Sequence, residues 1–169
     1  FLRRAFFFSP PLHEVETGAY LIARHEVTCG QYIAFLETLS PEDWRYLEAQ
    51  RLYRRFPDLN VLAVHGGLVP GVPLEAQRAD ELLNLRSIAP DGTPSKRVDG
   101  GVPWASCWKG PELVIFGHDA MRGVQRHPHA VGLDSGCVYG GRLTAYVMPE
   151  GRLVSVQARR AYVDVNASP

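Results

Sequence analysis

Two histidines, each placed just after a short apolar run, carry the clearest chemical signal in this sequence. One run covers residues 60–64 and leads into His65, and the other covers residues 112–116 and leads through a glycine to His118. Runs of valine, leucine, isoleucine and phenylalanine of this length predict strands buried on both faces. A stiff strand fixes the side chain at its end, and imidazole is a common metal ligand. The pair therefore predicts a metal centre built from His65 and His118.

Spacing alone leaves a second interpretation of these histidines open. A histidine at a strand end is more often a hydrogen-bonded structural residue than a ligand. Neither of these two belongs to a short two-ligand motif such as His-Glu-x-x-His. The adjoining Gly66, Gly67 and Gly117 lack a Cβ, so a metal, a phosphate or another backbone segment can approach closely.

The elements around the two strands mix helices and strands. Ser40 followed by Pro41 marks the start of a helix over residues 41–50, which we expect to bury Trp44 and Leu47. A short strand over residues 51–56 is predicted to follow this helix.

Beyond His65, a short helix is predicted over residues 75–85 and an exposed loop, suited to act as a lid, over residues 89–103. A helical turn holds Trp104 and Trp108. The clearest hairpin pairs residues 143–148 with 152–157 across a Pro-Glu-Gly turn.

Composition limits the class of protein. A chain of 169 residues, 46% hydrophobic, suffices for one core. Its 18 basic and 18 acidic residues cancel, which disfavours a nucleic-acid partner. Cys29, Cys107 and Cys137 show no disulfide or zinc spacing and fit a reducing cytoplasm, which is the expected location. No apolar stretch approaches the about 20 residues that span a bilayer, so no membrane partner is expected.

Five segments follow one another in a recognisable order. They are Val-His-Gly-Gly-Leu-Val-Pro at 64–70, Leu-Arg-Ser-Ile at 85–88, Trp108, Phe-Gly-His-Asp-Ala at 116–120, and Gly-Leu-Asp-Ser-Gly-Cys-Val-Tyr-Gly-Gly-Arg-Leu-Thr at 132–144. This order resembles the second half of a calcineurin-like metallophosphoesterase. The nearest branch holds the Ser/Thr protein phosphatases and the symmetrical bis(5'-nucleosyl)-tetraphosphatases. The resemblance covers about residues 40–162, and residues 1–27 are atypical.

The resemblance implies a role for each matched residue. His65 and His118 fall at two histidine ligands of one metal in a two-metal centre. Arg86 falls at the arginine that grips the substrate phosphate, and Tyr139 lies near an aromatic residue beside the site. Asp134 lies near a residue that orders the surrounding loop. In such centres two divalent ions, here manganese, iron or zinc, clamp the phosphate and activate water for in-line attack.

The motifs of the family's first half do not occur in this sequence. Those motifs are Gly-Asp-x-His-Gly, Gly-Asp-x-x-Asp-Arg-Gly and Gly-Asn-His-Asp/Glu, and they supply the other metal ligands and the catalytic histidine. Arg24-His25-Glu26 lacks the glycine and asparagine of the third motif. We therefore assign no catalytic residue, and we expect this chain to hold at most one metal ion, weakly.

The implied fold is α+β, with two β-sheets packed as a sandwich, helices outside and the N-terminal half missing. Residues 1–169 then form a partial metallophosphoesterase domain, expected to self-associate through its incomplete sheet. The implied function is the C-terminal part of a metal-dependent phosphoesterase acting on a phosphorylated small molecule, a dinucleotide or a phosphoprotein. This chain alone is expected to be inactive, so whether it is itself an enzyme stays open. The alternative is a non-catalytic remnant that binds a nucleotide or a protein.

Overall fold

The computed structural model describes residues 34–163, which fall into two compact units divided between Arg51 and Leu52. The first unit contains helix α1, Pro41–Glu48. Its N-terminus is capped as the sequence predicts, because the Ser40 Oγ accepts the Asp43 backbone N–H at 3.2 Å. The Asp43 carboxylate in turn accepts the Ser40 backbone N–H at 2.9 Å.

The prediction that α1 buries Trp44 and Leu47 is wrong. Trp44 is 41% exposed and Leu47 is 39% exposed, and no residue of α1 is buried. Helical periodicity shows that apolar residues share a face, but it does not supply the surface that would cover them.

The second unit begins at Leu52 and contains the predicted histidine strands. Its helices are α2 (Ala79–Asn84) and α3 (Trp104–Cys107), with 3-10 turns at Pro57–Leu59 and Leu74–Ala76. Its strands are β1 (Tyr53–Phe56), β2 (Val61–Val64), β3 (Ser87–Ile88), β4 (Pro94–Ser95), β5 (Val102–Pro103), β6 (Leu113–Phe116), β7 (Gln125–His127), β8 (Ala130–Gly132), β9 (Asp134–Ser135), β10 (Arg142–Val147) and β11 (Arg152–Gln157).

A five-stranded sheet in the order β1-β2-β6-β8-β7 forms the centre of this unit. Strands β2, β6 and β8 run parallel, and the two outer strands pair antiparallel with them. His65 follows β2, and His118 lies two residues beyond β6. Because β2 and β6 are parallel neighbours, their carboxyl ends meet at one edge of the sheet, and this edge receives both histidines.

Both faces of β2 and β6 are covered, as the apolar runs predict. Leu62, Val114 and Phe116 on one face lie in a cluster with the helical Leu82 and Trp104. On the other face, Val61, Ile115 and Val131 are buried. They pack with Tyr146 of β10 and Leu153 of β11. A strand with a covered surface on each side is held stiffly, so its end is a fixed position for a functional side chain.

The predicted C-terminal hairpin is confirmed. Strands β10 and β11 pair antiparallel over six residues each, and β9 adds a third strand beside β10. The expected exposed loop over residues 89–103 is wrong in part, because it contains β4 and β5, which pair with opposite sides of β3. Two-residue strands are held by backbone hydrogen bonds, so they need no apolar alternation that a sequence pattern would reveal.

The helix predicted over residues 75–85 is shorter in the structure, because the backbone is extended at Gln77 and Arg78. The Gln77 side-chain amide explains this break. It donates to the carbonyls of Val69 and Val72, and its oxygen accepts the Val69 N–H, each at 2.9 to 3.0 Å. The side chain therefore ties the loop after His65 to the chain just before α2.

The described part of the chain is mixed α and β, with several sheets and few helices, in agreement with the predicted class. Among residues 34–163, every helix is too short or too polar to cross a bilayer.

Candidate metal and phosphate site

The two histidines predicted from the sequence lie next to each other. The centroids of the His65 and His118 rings are 5.2 Å apart, and the ring planes are inclined by 56°. The Gly117 backbone N–H donates to the His65 carbonyl at 3.0 Å, which continues the pairing of β2 and β6 beyond the strands. The fold therefore brings two imidazoles together from segments more than 50 residues apart.

His118 has an unusual backbone conformation. Its φ of 68° lies in the left-handed region, which residues other than glycine seldom adopt. Its Nε2 atom is buried and has no hydrogen-bond partner, although the imidazole ring has a hydrogen bond with the backbone of Asn84. A strained residue with a buried, unpaired ring nitrogen is typical of a functional position, and an orienting backbone contact is common for a metal-binding imidazole.

The pKa of His118 lies below its ordinary value. Burial is the main cause, because it disfavours the charged imidazolium, and the positive charge of Arg86 adds to this effect. The backbone of Asn84 and the carboxylates of Asp119 and Asp134 oppose the shift. The lowered pKa keeps the ring neutral near pH 7, and a neutral ring is the form that binds a metal.

The glycines after His65 make close contacts within the protein itself. A Cβ on Gly66 would lie 2.6 Å from the backbone carbon of Leu83, and one on Gly67 would lie 2.5 Å from the Trp104 ring nitrogen. The Gly66 N–H also donates to the Leu82 carbonyl at 2.7 Å. Gly66 therefore meets another backbone segment, one of the partners that the sequence left open, whereas Gly67 meets the indole ring of Trp104, which the sequence did not predict.

Arg86 lies beside the histidine pair. One terminal nitrogen donates to the Lys96 carbonyl at 2.9 Å, and the other to the His118 carbonyl at 3.4 Å. Its Nε lies 3.9 Å from the Asp119 Oδ1. This side chain is 26% exposed, so part of it reaches solvent, although its Nε is buried.

Arg86 could instead have had a purely structural role, as the partner of Asp80 or Glu81 in an ion pair. In the structure both of these carboxylates pair with other residues. Asp80 pairs with Lys96 at 2.7 Å, and Glu81 lies 3.9 Å from the Arg78 Nε.

A buried polar cluster next to Arg86 was missed by the sequence reasoning. Asp119 is only 3% exposed, and its Oδ2 accepts from Arg122 at 2.6 Å and from the Gln125 side-chain amide at 3.1 Å. Arg122 also donates to the hydroxyl of Ser87 at 2.8 Å. The three-residue spacing of Asp119 and Arg122 was the one signal in the sequence, but such spacings usually mark exposed ion pairs.

The structure does not bring Tyr139 to the histidine pair by any hydrogen bond or ring contact among the described residues. Its side chain is 41% exposed, and its backbone pairs with Gly136 and Ala161. Asp134 does order its own loop, since its Oδ1 accepts the Gly136 N–H at 3.1 Å.

Trp108 and His127 could also carry chemistry, but the structure gives each of them another partner. Trp108 donates from its ring nitrogen to the Glu112 carbonyl and packs on the core, so its role is structural. His127 lies 3.4 Å from the Gln125 side-chain oxygen, and burial lowers its pKa. The segment Arg24-His25-Glu26 and Cys29 lie outside the described residues.

The imidazoles of His65 and His118 could supply part of the ligand set of a metal ion. The described residues contain two adjacent imidazoles, one with a buried unpaired nitrogen. Within residues 34–163, no group of three or more histidine, cysteine, aspartate or glutamate side chains is arranged to hold an ion. A tightly bound divalent ion takes four or more protein or water ligands, so this half-set alone would bind weakly.

Comparisons with known proteins find similar chains, both by sequence and by structure. No protein-family model matches the chain. The bis(5'-nucleosyl)-tetraphosphatase PrpE (asymmetrical) of Halalkalibacterium halodurans is 28% identical, over 95% of this chain and 70% of the relative. The protein of the same name from Geobacillus sp. is 29% identical, over 70% of this chain and 49% of the relative. These names carry the asymmetrical designation, whereas the sequence resemblance pointed to the symmetrical branch.

A solved structure is also similar. A crystal structure of a protein provisionally assigned as a diadenosine tetraphosphatase matches with a TM-score of 0.65 and 43% sequence identity. The match covers 74% of this chain and 59% of that one. The chain thus spans between about half and 70% of the length of these relatives. Together, the sequence and structural likenesses show that the chain is related to the calcineurin-like metallophosphoesterases.

Proposed function

We propose that this chain supplies the C-terminal part of a metal-dependent phosphoesterase that hydrolyses dinucleoside polyphosphates or phosphate monoesters. The observation that carries the proposal is the pair of imidazoles, 5.2 Å apart, with the partly exposed side chain of Arg86 beside them. Relatives named bis(5'-nucleosyl)-tetraphosphatase support a dinucleotide substrate over a phosphoprotein.

His65 and His118 would hold one divalent ion, manganese, iron or zinc, through neutral ring nitrogens. Such ions polarise a phosphate and lower the pKa of a bound water. Arg86 would bind the phosphate and balance the negative charge that spreads over its oxygens during hydrolysis. Tyr139, whose side chain is exposed, would border the substrate.

The chain by itself should show little turnover. The described residues provide two ring nitrogens and no bridging carboxylate, and the first-half motifs are absent from the sequence. We propose that the contact between the central sheet and β10–β11 is one side of a two-sheet sandwich, and that residues 1–169 form a partial domain.

A second candidate function rests on the same incomplete donor set. A chain that keeps Arg86 and the surrounding fold but lacks the other ligands would act as a non-catalytic domain that binds a nucleotide or a protein. Metal binding separates the two candidates, because the remnant needs no ion.

The first experiment measures metal affinity. The purified chain is titrated with Mn²⁺ and Zn²⁺ by calorimetry, together with His65→Ala, His118→Ala and the control His129→Ala, whose side chain is exposed. We expect weak binding that falls at least about tenfold in the first two variants, because one of two ligands is lost, and no change in the control. Equal affinity in all four proteins would refute the assignment of the pair.

The second experiment measures turnover. The same chain, loaded with Mn²⁺, is assayed with a dinucleoside tetraphosphate and with a phosphomonoester. We expect hydrolysis at or near background for both. Stoichiometric metal with fast turnover would contradict the prediction that the chain alone is inactive.

A further inference from the structure

Arg86 and Asp119 face each other across a buried gap. The Arg86 Nε and the Asp119 Oδ1 are 3.9 Å apart, too far for a hydrogen bond, and each is buried without a hydrogen-bond partner. A buried charged group without compensation is destabilising, so the opposite charge of the facing group is what stabilises each atom. The two side chains therefore form an ion pair that fixes the direction in which the guanidinium extends.

Arg122 holds the carboxylate of this pair in place. The Asp119 Oδ2 accepts from Arg122 and Gln125, which leaves Oδ1 directed at Arg86. Arg122 also donates to the Arg86 carbonyl at 3.2 Å and to the Val98 carbonyl. The carboxylate is thus tied to the backbone of the very segment that carries Arg86.

The arrangement leaves Arg86 able to bind an anion. Two guanidinium groups surround one carboxylate, so a net positive charge remains. Arg86 uses one N–H on the Lys96 carbonyl and one on the His118 carbonyl, and its Nε–H faces Asp119. A guanidinium has five N–H groups, so two remain for a phosphate, the number that a bidentate contact needs.

We infer that Asp119 and Arg122 are positioning residues that hold the Arg86 guanidinium for a substrate phosphate. This inference rests on the proposed phosphoesterase function and adds residues to which no role was assigned from the sequence. Asp119 acts through Arg86, and Arg122 acts by holding Asp119. Neither residue needs to touch the phosphate.

The test observes Arg86 directly in the purified, metal-free chain labelled with ¹⁵N. The Arg86 Nε–H signal is identified in a two-dimensional spectrum by its loss in Arg86→Lys. Its ¹H–¹⁵N nuclear Overhauser effect is compared with that of Arg78, whose side chain is 77% exposed. We expect a rigid Arg86 and a mobile Arg78. If Arg86 and Arg78 are equally mobile in the wild-type chain, the inference is overturned.

Two variants then separate positioning from folding. Asp119→Asn removes the charge but leaves Arg122 buried without its partner, which destabilises the chain. The double variant Asp119→Asn with Arg122→Gln removes both charges, so it should retain the folded spectrum. We expect the Arg86 signal to become mobile in the double variant. A folded double variant with a rigid, unshifted Arg86 would overturn the inference.

Inorganic pyrophosphate is the probe for the anion. Titration of the wild-type chain should shift the Arg86 Nε–H signal, and the double variant should need about tenfold more pyrophosphate for half of the shift. Arg97→Lys, which changes an exposed arginine paired with Asp99, should behave as wild type. Equal half-saturation in wild type and double variant overturns the inference. If Arg86 becomes mobile in the double variant but pyrophosphate never shifts its signal, the positioning contact stands and the proposed phosphate function fails.

Discussion

The close approach of Gly67 to Trp104 gives the sharpest test of how the core holds the end of β2. A Cβ on Gly67 would lie 2.5 to 2.8 Å from three atoms of the indole five-membered ring. Trp104 is 1% exposed and packs edge-on against Phe116, with ring centroids 4.8 Å apart, so the ring has little room to move. The substitution Gly67→Ala should therefore lower the free energy of unfolding by about 2–3 kcal/mol, the upper part of the range for overpacked cores.

Replacing the indole should relieve this clash. Trp104→Ala removes the atoms that the new methyl group would meet. It leaves a large cavity, which costs about 3–5 kcal/mol. It also removes a buried N–H that has no hydrogen-bond partner, and such a group costs about 1–3 kcal/mol. The second effect offsets part of the first, so Trp104→Ala alone should lower the free energy of unfolding by about 2 kcal/mol.

A double-mutant cycle measures the contact. The wild-type chain, Gly67→Ala, Trp104→Ala and the double variant are unfolded in urea, and the four free energies of unfolding are compared. The double variant should be more stable than the sum of the single effects predicts by about 2 kcal/mol, because the two residues are in contact. Gly71→Ala is the control. A Cβ there meets nothing within 4 Å, and only the strain of its φ of 79° applies. Additive single effects, or a harmless Gly67→Ala, would refute the reasoning.

Two further predictions concern pH and self-association. Burial lowers the pKa of both His118 and His127 below the ordinary value of 6.5, so the unfolded chain binds these protons more readily than the folded chain. The free energy of unfolding in metal-free buffer should therefore fall as the pH is lowered from 7.5 to 5.5, and His127→Gln should reduce the slope; an unchanged slope would contradict this cause. Leu143 and Val156 are cross-strand neighbours on β10 and β11 and are 43% and 66% exposed, so the chain should associate at high concentration. Val156→Thr should weaken this association in size-exclusion chromatography at several concentrations, and a wild-type chain that elutes as a monomer at every concentration would disprove it.

The sequence was informative where one short segment determines its own structure. The apolar runs before His65 and His118 predict strands covered on both faces, and β2 and β6 have buried residues on each face. The Pro-Glu-Gly turn predicts the β10–β11 hairpin, and Ser40 followed by Pro41 predicts the start of α1. In each case the signal is a periodicity or a cap within about ten residues.

Tertiary structure decided the features that depend on distant residues. The exposure of Trp44 and Leu47 could not be inferred from their helix, because burial requires a second surface. The strands β4 and β5 were hidden within an apparent loop, since β3 supplies their backbone partners. The sequence also could not show that Arg86 pairs with Asp119 rather than with Asp80, because Asp119 is 33 residues away along the chain.

For the candidate site, the sequence by itself determined the chemistry of the donors, namely two imidazoles at strand ends and an arginine after a short helix. Only the tertiary structure placed the His65 and His118 rings 5.2 Å apart and set the buried Asp119 between Arg86 and Arg122. The physical reason is that residue types are local, whereas parallel pairing of β2 with β6 is a non-local interaction. That pairing aligns the two strand ends, and the alignment brings the histidines together.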